Sequence, residues 1–181
     1  MIETRLSLPT AWPRPILRSM SQGQAATILP GDARHPEHDA FLLELGRSTY
    51  QLARVAGACF DILRVLGDHE ADELYGDTLG RTVRRLRELA DKRPELTDLR
   101  ALQESLANCL ETRNDLQHAL PVAGGLQRRR PTDPHFVKDY FTVEALAATT
   151  AAFRDVHVAL TNVLYRDDGA AVKAWTTRPR A

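Results

Sequence analysis

From Phe41 onward the apolar residues keep a helical rhythm, with interruptions, over most of the chain. Phe41, Leu45, Leu52, Ala56, Phe60 and Leu63 recur at a spacing that lines one face of a helix. Pro36 suits a first helical position, where its missing N–H goes unneeded, and Glu37 and Asp39 suit the positive helix end. Gly67 is a plausible stop and Asp68 a new cap, so a first helix is predicted from Pro36 to Leu66. A second is predicted over Ala71 to Lys92, with Leu79, Val83, Leu86 and Leu89 or Ala90 inward. Gly76 and Gly80 weaken its first half, which makes Asp77 or Thr78 an alternative cap. A third starts at Pro94 or Thr97 and carries Leu99, Leu102, Leu106 and Leu110. It ends just before Pro121, because the residue preceding a proline is pushed out of the helical region. A fourth begins at Thr142, a good cap, with Glu144 in its first turn. Its inward residues are Val143, Leu146, Phe153, Val156, Leu160 and Val163 or Leu164.

Between the third and fourth helices lies "PVAGGLQRRRPTDPHFVKDYF". Its glycines, prolines and Arg128-Arg129-Arg130 predict an irregular, locally basic loop. β-branched residues are sparse and no period-two run appears, so no strand is predicted. Before the first helix, Pro9, Pro13, Pro15 and Pro30 interrupt any periodicity, although Trp12, Ile16 and Leu17 could dock on the core. The expected organisation is an irregular N-terminal arm over 1–35, a helical domain over 36–166 and a polar tail over 167–181. The fold class is all-α, an up-and-down bundle of four main helices.

Size and charge narrow the picture. A chain of 181 residues is enough for one domain with a real core. Formal net charge is zero, so no field of the whole chain draws it to nucleic acid. Of 24 basic residues only Lys92, Lys138 and Lys173 are lysine. Arginine suits phosphate through its planar two-donor fork, but a bias without a motif is only compositional. Arg81, Arg84 and Arg85 on the second helix, and Arg128, Arg129 and Arg130 in the loop, are candidate RNA contacts. A solvated polar face is the simpler reading of the helical cluster.

Cys59 and Cys109 fall among apolar helical positions, and no CxxC spacing exists, so a reducing, cytoplasmic setting is expected. The first twenty residues lack a continuous apolar region of secretory type, and no run is long enough to span a bilayer. His35, His38 and His69 with Glu70 and Asp72 lack zinc-ligand spacing. No metal or cofactor is expected.

The candidate chemistry lies in "ETRNDLQHALP", Glu111 to Pro121. Arg113 falls in the middle of the stripe set by Leu99, Leu102, Leu106 and Leu110, and Asn114 at its edge. His118 is one turn beyond Asn114 on the same side. A guanidinium aimed at a core needs a partner or an opening to water. An acid such as Asp61 or Asp155 on a neighbouring helix would be a purely structural partner, with His118 capping its own helix end. Alternatively the pair does chemistry, since histidine is poised for proton transfer near neutral pH.

The segment "RNDLQH", Arg113 to His118, resembles the signature of the HEPN superfamily: Arg, four to six residues, then His, commonly with a polar residue after the Arg. Its place late in the third helix, with a final amphipathic helix behind, is also similar to that family, over roughly Pro36 to Arg166. Two other segments share the spacing. "RVLGDH", Arg64 to His69, straddles the predicted break at Gly67, and "RPTDPH", Arg130 to His135, contains two prolines. Leu120-Pro121 closes the helix soon after His118, and Ala119 stands where the family commonly has glycine.

The resemblance implies a homodimer whose two motifs face each other across an RNA-binding cleft, in a defence or toxin-type system with an antitoxin or regulatory partner. The implied reaction is metal-independent: the RNA 2′-hydroxyl attacks the adjacent phosphorus and leaves a cyclic phosphate. His118 would be the acid/base, Arg113 would stabilise phosphoryl charge, and Asn114 would orient His118 or contact phosphate. The resemblance equally allows a non-catalytic dimerisation, nucleotide-sensing or interaction module.

Overall fold

The computed structural model describes residues 36–122, 124–130 and 132–177. The expected N-terminal arm lies outside the described residues, as do the last four positions of the expected tail. The elements run α1 (Pro36–Val65), α2 (Ala71–Tyr75), α3 (Leu79–Lys92), α4 (Thr97–Ala101), α5 (Gln103–Gln117), β1 (Leu120–Val122), β2 (Gly125–Arg130), β3 (Asp133–Phe141), α6 (Val143–Leu164) and α7 (Arg166–Thr176). The described chain is 73% helical, with one small sheet.

The first and fourth predicted helices appear as α1 and α6, close to their expected bounds. Thr142 caps α6 as expected, its Oγ1 accepting from Ala145 N at 3.2 Å. The second helix divides. Gly76 ends α2, and Thr78 caps α3 through a bond from Arg81 N at 3.3 Å. The third also divides, at Leu102, into α4 and α5.

Three expectations are corrected. The segment expected as a loop is a three-stranded antiparallel meander in the order β1-β2-β3, so the chain is mostly helical rather than all-α. Strand β2 is largely arginine and glutamine, so the apolar alternation that marks a strand is missing there. The expected tail folds as α7: Trp175 stacks under the Arg64 guanidinium at 4.7 Å and Val172 packs on the core. Arg166, opening α7, donates to Glu95 O at 3.2 Å and pairs with Asp98.

The up-and-down order is corrected as well. Phe41 shares a cluster with Phe141 and Leu146, and Ser48 Oγ donates to Leu146 O at 3.1 Å and meets Thr150 Oγ1 at 2.7 Å. Further along, Arg54 acts electrostatically on His157. Residues thus advance together on both helices, so α1 and α6 run the same way.

The main core joins α1, α3, α4, α5 and α6, with Ile62, Leu63, Leu86, Leu99, Leu106, Phe153 and Leu160 fully buried. Cys59 and Cys109 are free thiols within it. Burial foremost, then the charge of Cys109, pushes the Cys59 thiol far up, and burial pushes Cys109 up to about 12. A smaller cluster of Phe41, Phe141 and Leu146 seats the sheet, with Leu116 and Leu126 packed against it. This cluster places the C-terminal end of α5 beside the first turns of α1 and α6. Among the described residues, no helix is long and apolar enough to cross a membrane.

Candidate functional site

Helix α5 is held on two opposite faces. Leu106 and Cys109 face the helical core, while Asp115, on the other side, is buried beneath the sheet. The motif residues sit around the C-terminal end of this clamped helix. Arg113 is half-buried, and Asn114 and His118 are exposed. Arg113 Nη1 donates to Asn114 Oδ1 at 2.9 Å, so its partner is its own neighbour rather than Asp61 or Asp155. His118 caps the helix: its N–H donates to Asn114 O at 3.1 Å while φ of −105° turns the chain away. Its imidazole is left open to solvent. The structure therefore brings a guanidinium, an amide and an imidazole to one helix end, partly or fully accessible.

Beneath the motif lies a charged cluster that the sequence did not announce. Asp115 is only 6% exposed. Its Oδ1 accepts from Arg128 Nε at 3.3 Å and its Oδ2 from Lys138 Nζ at 2.6 Å. Lys138 Nζ also donates to Glu111 Oε1 at 2.9 Å and lies 4.0 Å from Asp139 Oδ2. Arg128 Nη1 reaches the His118 carbonyl at 3.4 Å, tying the sheet to the residue that ends the helix.

A β-bulge aims this cluster. Arg128 pairs with Asp139 but the next residue, Arg129, pairs with Val137, leaving Lys138 as the extra residue of β3. Adjacent strand residues normally point to opposite faces. The bulge breaks that rule and lets Lys138 and Asp139 both reach the α5 side. Burial foremost, then the hydrogen bond and charge of Asp115, pushes the Asp139 carboxyl up to about 6, with Lys138 opposing. Burial disfavours the Lys138 ammonium, but hydrogen bonds and charges from Asp115 and Glu111 outweigh it, and its value is raised.

The candidate RNA contacts are distributed over two elements. On α3, Arg81 Nη1 and Arg85 Nε both bind Asp77, at 3.1 and 2.8 Å, while Arg84 is exposed. On β2, Arg128 is tied to Asp115, Arg129 donates to Gln127 Oε1 at 3.0 Å, and Arg130 lies 4.0 Å over the Phe136 ring. Most of these guanidiniums thus have partners within the fold. Only the β2 group adjoins the motif, through Arg128.

Sequence reasoning missed Glu111, Asp115, Lys138 and Asp139. On a helical wheel Asp115 falls opposite the apolar stripe, where a carboxylate looks solvated. Its burial depends on a sheet that had been taken for a loop. Among the described residues, no group of three or more His, Cys, Asp or Glu could hold a metal ion. Comparison of the chain with family models, with curated proteins and with solved structures finds no match.

Proposed function

We propose that the chain is a HEPN-like, metal-independent endoribonuclease of a defence or toxin-type system, acting as a homodimer. The observation that carries this reading is the accessible trio at the end of α5: Arg113 and Asn114 bonded to each other, with the His118 imidazole open to solvent. A helix end fastened on both faces supplies the preorganisation that such chemistry needs. His118 removes the proton from the RNA 2′-hydroxyl, whose oxygen attacks the adjacent phosphorus. The bond to the 5′-oxygen breaks, and a proton from the second copy's imidazole goes to that leaving oxygen. The products are a 2′,3′-cyclic phosphate and a 5′-hydroxyl. Arg113 stabilises charge on the phosphoryl oxygens, and a charge-assisted guanidinium contact is strongest in a cleft that excludes water. Asn114 orients Arg113 through their shared hydrogen bond.

A second reading, a non-catalytic dimerisation, nucleotide-sensing or interaction module, draws support from the same contact. A guanidinium already bonded to Asn114 and half-buried has fewer donors left for phosphate.

Cleavage of a mixed RNA pool in EDTA separates the two. The wild-type chain is expected to cut, and His118→Ala and Arg113→Ala are each expected to lower the rate at least about 100-fold. Undiminished cleavage by His118→Ala, or no cleavage of any RNA by wild type, favours the module. Light scattering is expected to show twice the 20.2 kDa chain mass. A monomer at every concentration removes the facing motifs and with them the nuclease reading.

A further inference from the structure

We propose that Asp139, set against Asp115 by the β3 bulge, is a protonation-sensitive clasp of the β-sheet onto α5, closed when it holds a proton and loosened when it is ionised. The inference stands on the α5–sheet seam and does not depend on the nuclease reading.

Three observations carry it. First, the pair is brought together by a specific backbone device. The bulge at Lys138 turns two consecutive residues of β3 toward the same helix face, which regular pleating forbids. Second, the two carboxylates bracket one ammonium. Lys138 Nζ is 2.6 Å from Asp115 Oδ2 and 4.0 Å from Asp139 Oδ2. Against that ammonium, burial and then the hydrogen bond and charge of Asp115 make the Asp139 carboxyl harder to ionise. Third, the clasp joins three elements, beside the apolar contacts of Leu116 and Leu126 that also seat the sheet. Asp115 belongs to α5, Arg128 to β2, and Lys138 and Asp139 to β3.

The charges facing Asp139 are Asp115 and Glu111 from α5, Arg128 opposite it on β2, and Lys138 on its own strand. With Asp139 protonated, the two cations meet two carboxylates and the cluster is neutral. With Asp139 ionised, three carboxylates meet two cations. The added negative charge lies against Asp115, the buried anchor of the sheet, and repels it. Burial raises the Asp139 carboxyl to about 6, which places this change near neutral pH. Arg128 transmits the change, because the same guanidinium bonds Asp115 and the carbonyl of His118. Loosening the seam therefore frees the helix end that presents the imidazole.

The test uses the full chain and needs no substrate. Carbon-13 NMR of aspartate-labelled protein is expected to show one side-chain carboxyl, assigned to Asp139 by its absence in Asp139→Asn, titrating near pH 6. Asp115→Asn is expected to return that titration toward the ordinary carboxylate range. Hydrogen exchange is read in parallel. After correction for intrinsic rates, β2 and β3 amides are expected to exchange about tenfold faster relative to α1 amides at pH 7.5 than at pH 5, the change that one pKa unit represents. Asp139→Asn is expected to hold the sheet at its low-pH protection throughout. Titration of Asp139 in the ordinary range in the wild-type protein overturns the proposal. So does sheet protection that is the same at both pH values. The wild-type hydrogen-exchange comparison decides the matter even if a variant does not fold.

Discussion

At the scale of single residues, the fold uses polar groups where an apolar one would be simpler, and each use has a measurable sign. Asp139 is the clearest. Its folded-state value lies above the ordinary carboxylate value of 3.8. Between 3.8 and about 6 the unfolded chain has already lost the proton that the folded chain keeps. Its contribution to stability is thus complete at low pH and is lost as pH rises through about 6. Asp139→Asn cannot ionise, so it is expected to melt higher than wild type at pH 7.5 and alike below pH 4. Because the group is partly solvated, screening limits the gain to about 2–4 °C, the shift that about 1 kcal/mol gives in a chain of this size. A melting series across pH checks both halves. The cysteines make a second case. Both thiols are buried in the main core and resist ionisation, so a thiol reagent at pH 8 is expected to label neither until the chain unfolds. Labelling followed by mass spectrometry in increasing denaturant reads this directly.

At the scale of elements, the junctions decide the structure more than the helix interiors. Thr142 and Thr78 supply side-chain caps for α6 and α3, and removing either by Thr→Ala is expected to cost about 1 kcal/mol in denaturant unfolding. The sheet depends on a closer fit. Gly124 carries φ of +78° in the turn between β1 and β2, a conformation that glycine adopts without penalty. At Gly125 the limit is space: a Cβ there would lie 2.2 Å from the Phe141 carbonyl oxygen. Gly125→Ala must therefore push β3 away from β2, at a cost of about 1–3 kcal/mol. The loss is expected in sheet-amide protection first, with α1 and α6 retained, because Phe141 is what seats the sheet on Phe41 and Leu146.

At the scale of the molecule, α1 and α6 form a parallel pair around which the other elements gather. Leu160 of α6 is fully buried in the core they share, so Leu160→Ala is expected to cost about 2–5 kcal/mol and to lower the single unfolding transition as a whole. The sheet end of this pair is where α5 finishes, and the motif is presented there. At that end Arg113 is half-buried, and Asn114 and His118 are exposed rather than closed in the interior.

The apolar periodicity by itself determined where α1 and α6 run, because burying a continuous stripe leaves few alternatives for a long helix. Local chemistry also determined the start of α6 at Thr142, since a capping hydroxyl acts on amides within its own turn, and it left Asp77 and Thr78 as alternatives to Ala71 until the fold chose Thr78 for α3. The six-residue motif was visible for the same reason: its spacing lies within one helix. Tertiary structure alone decided the rest. Strand β2 is made of arginines whose charged ends find Asp115, Gln127 and the Phe136 ring, so its pairing left no apolar trace along the chain. The burial of Asp115, the direction of α6 relative to α1 and the docking of α7 all depend on groups distant in sequence. A single chain pattern records which face is oily, and it does not record which partner arrives to cover the polar one.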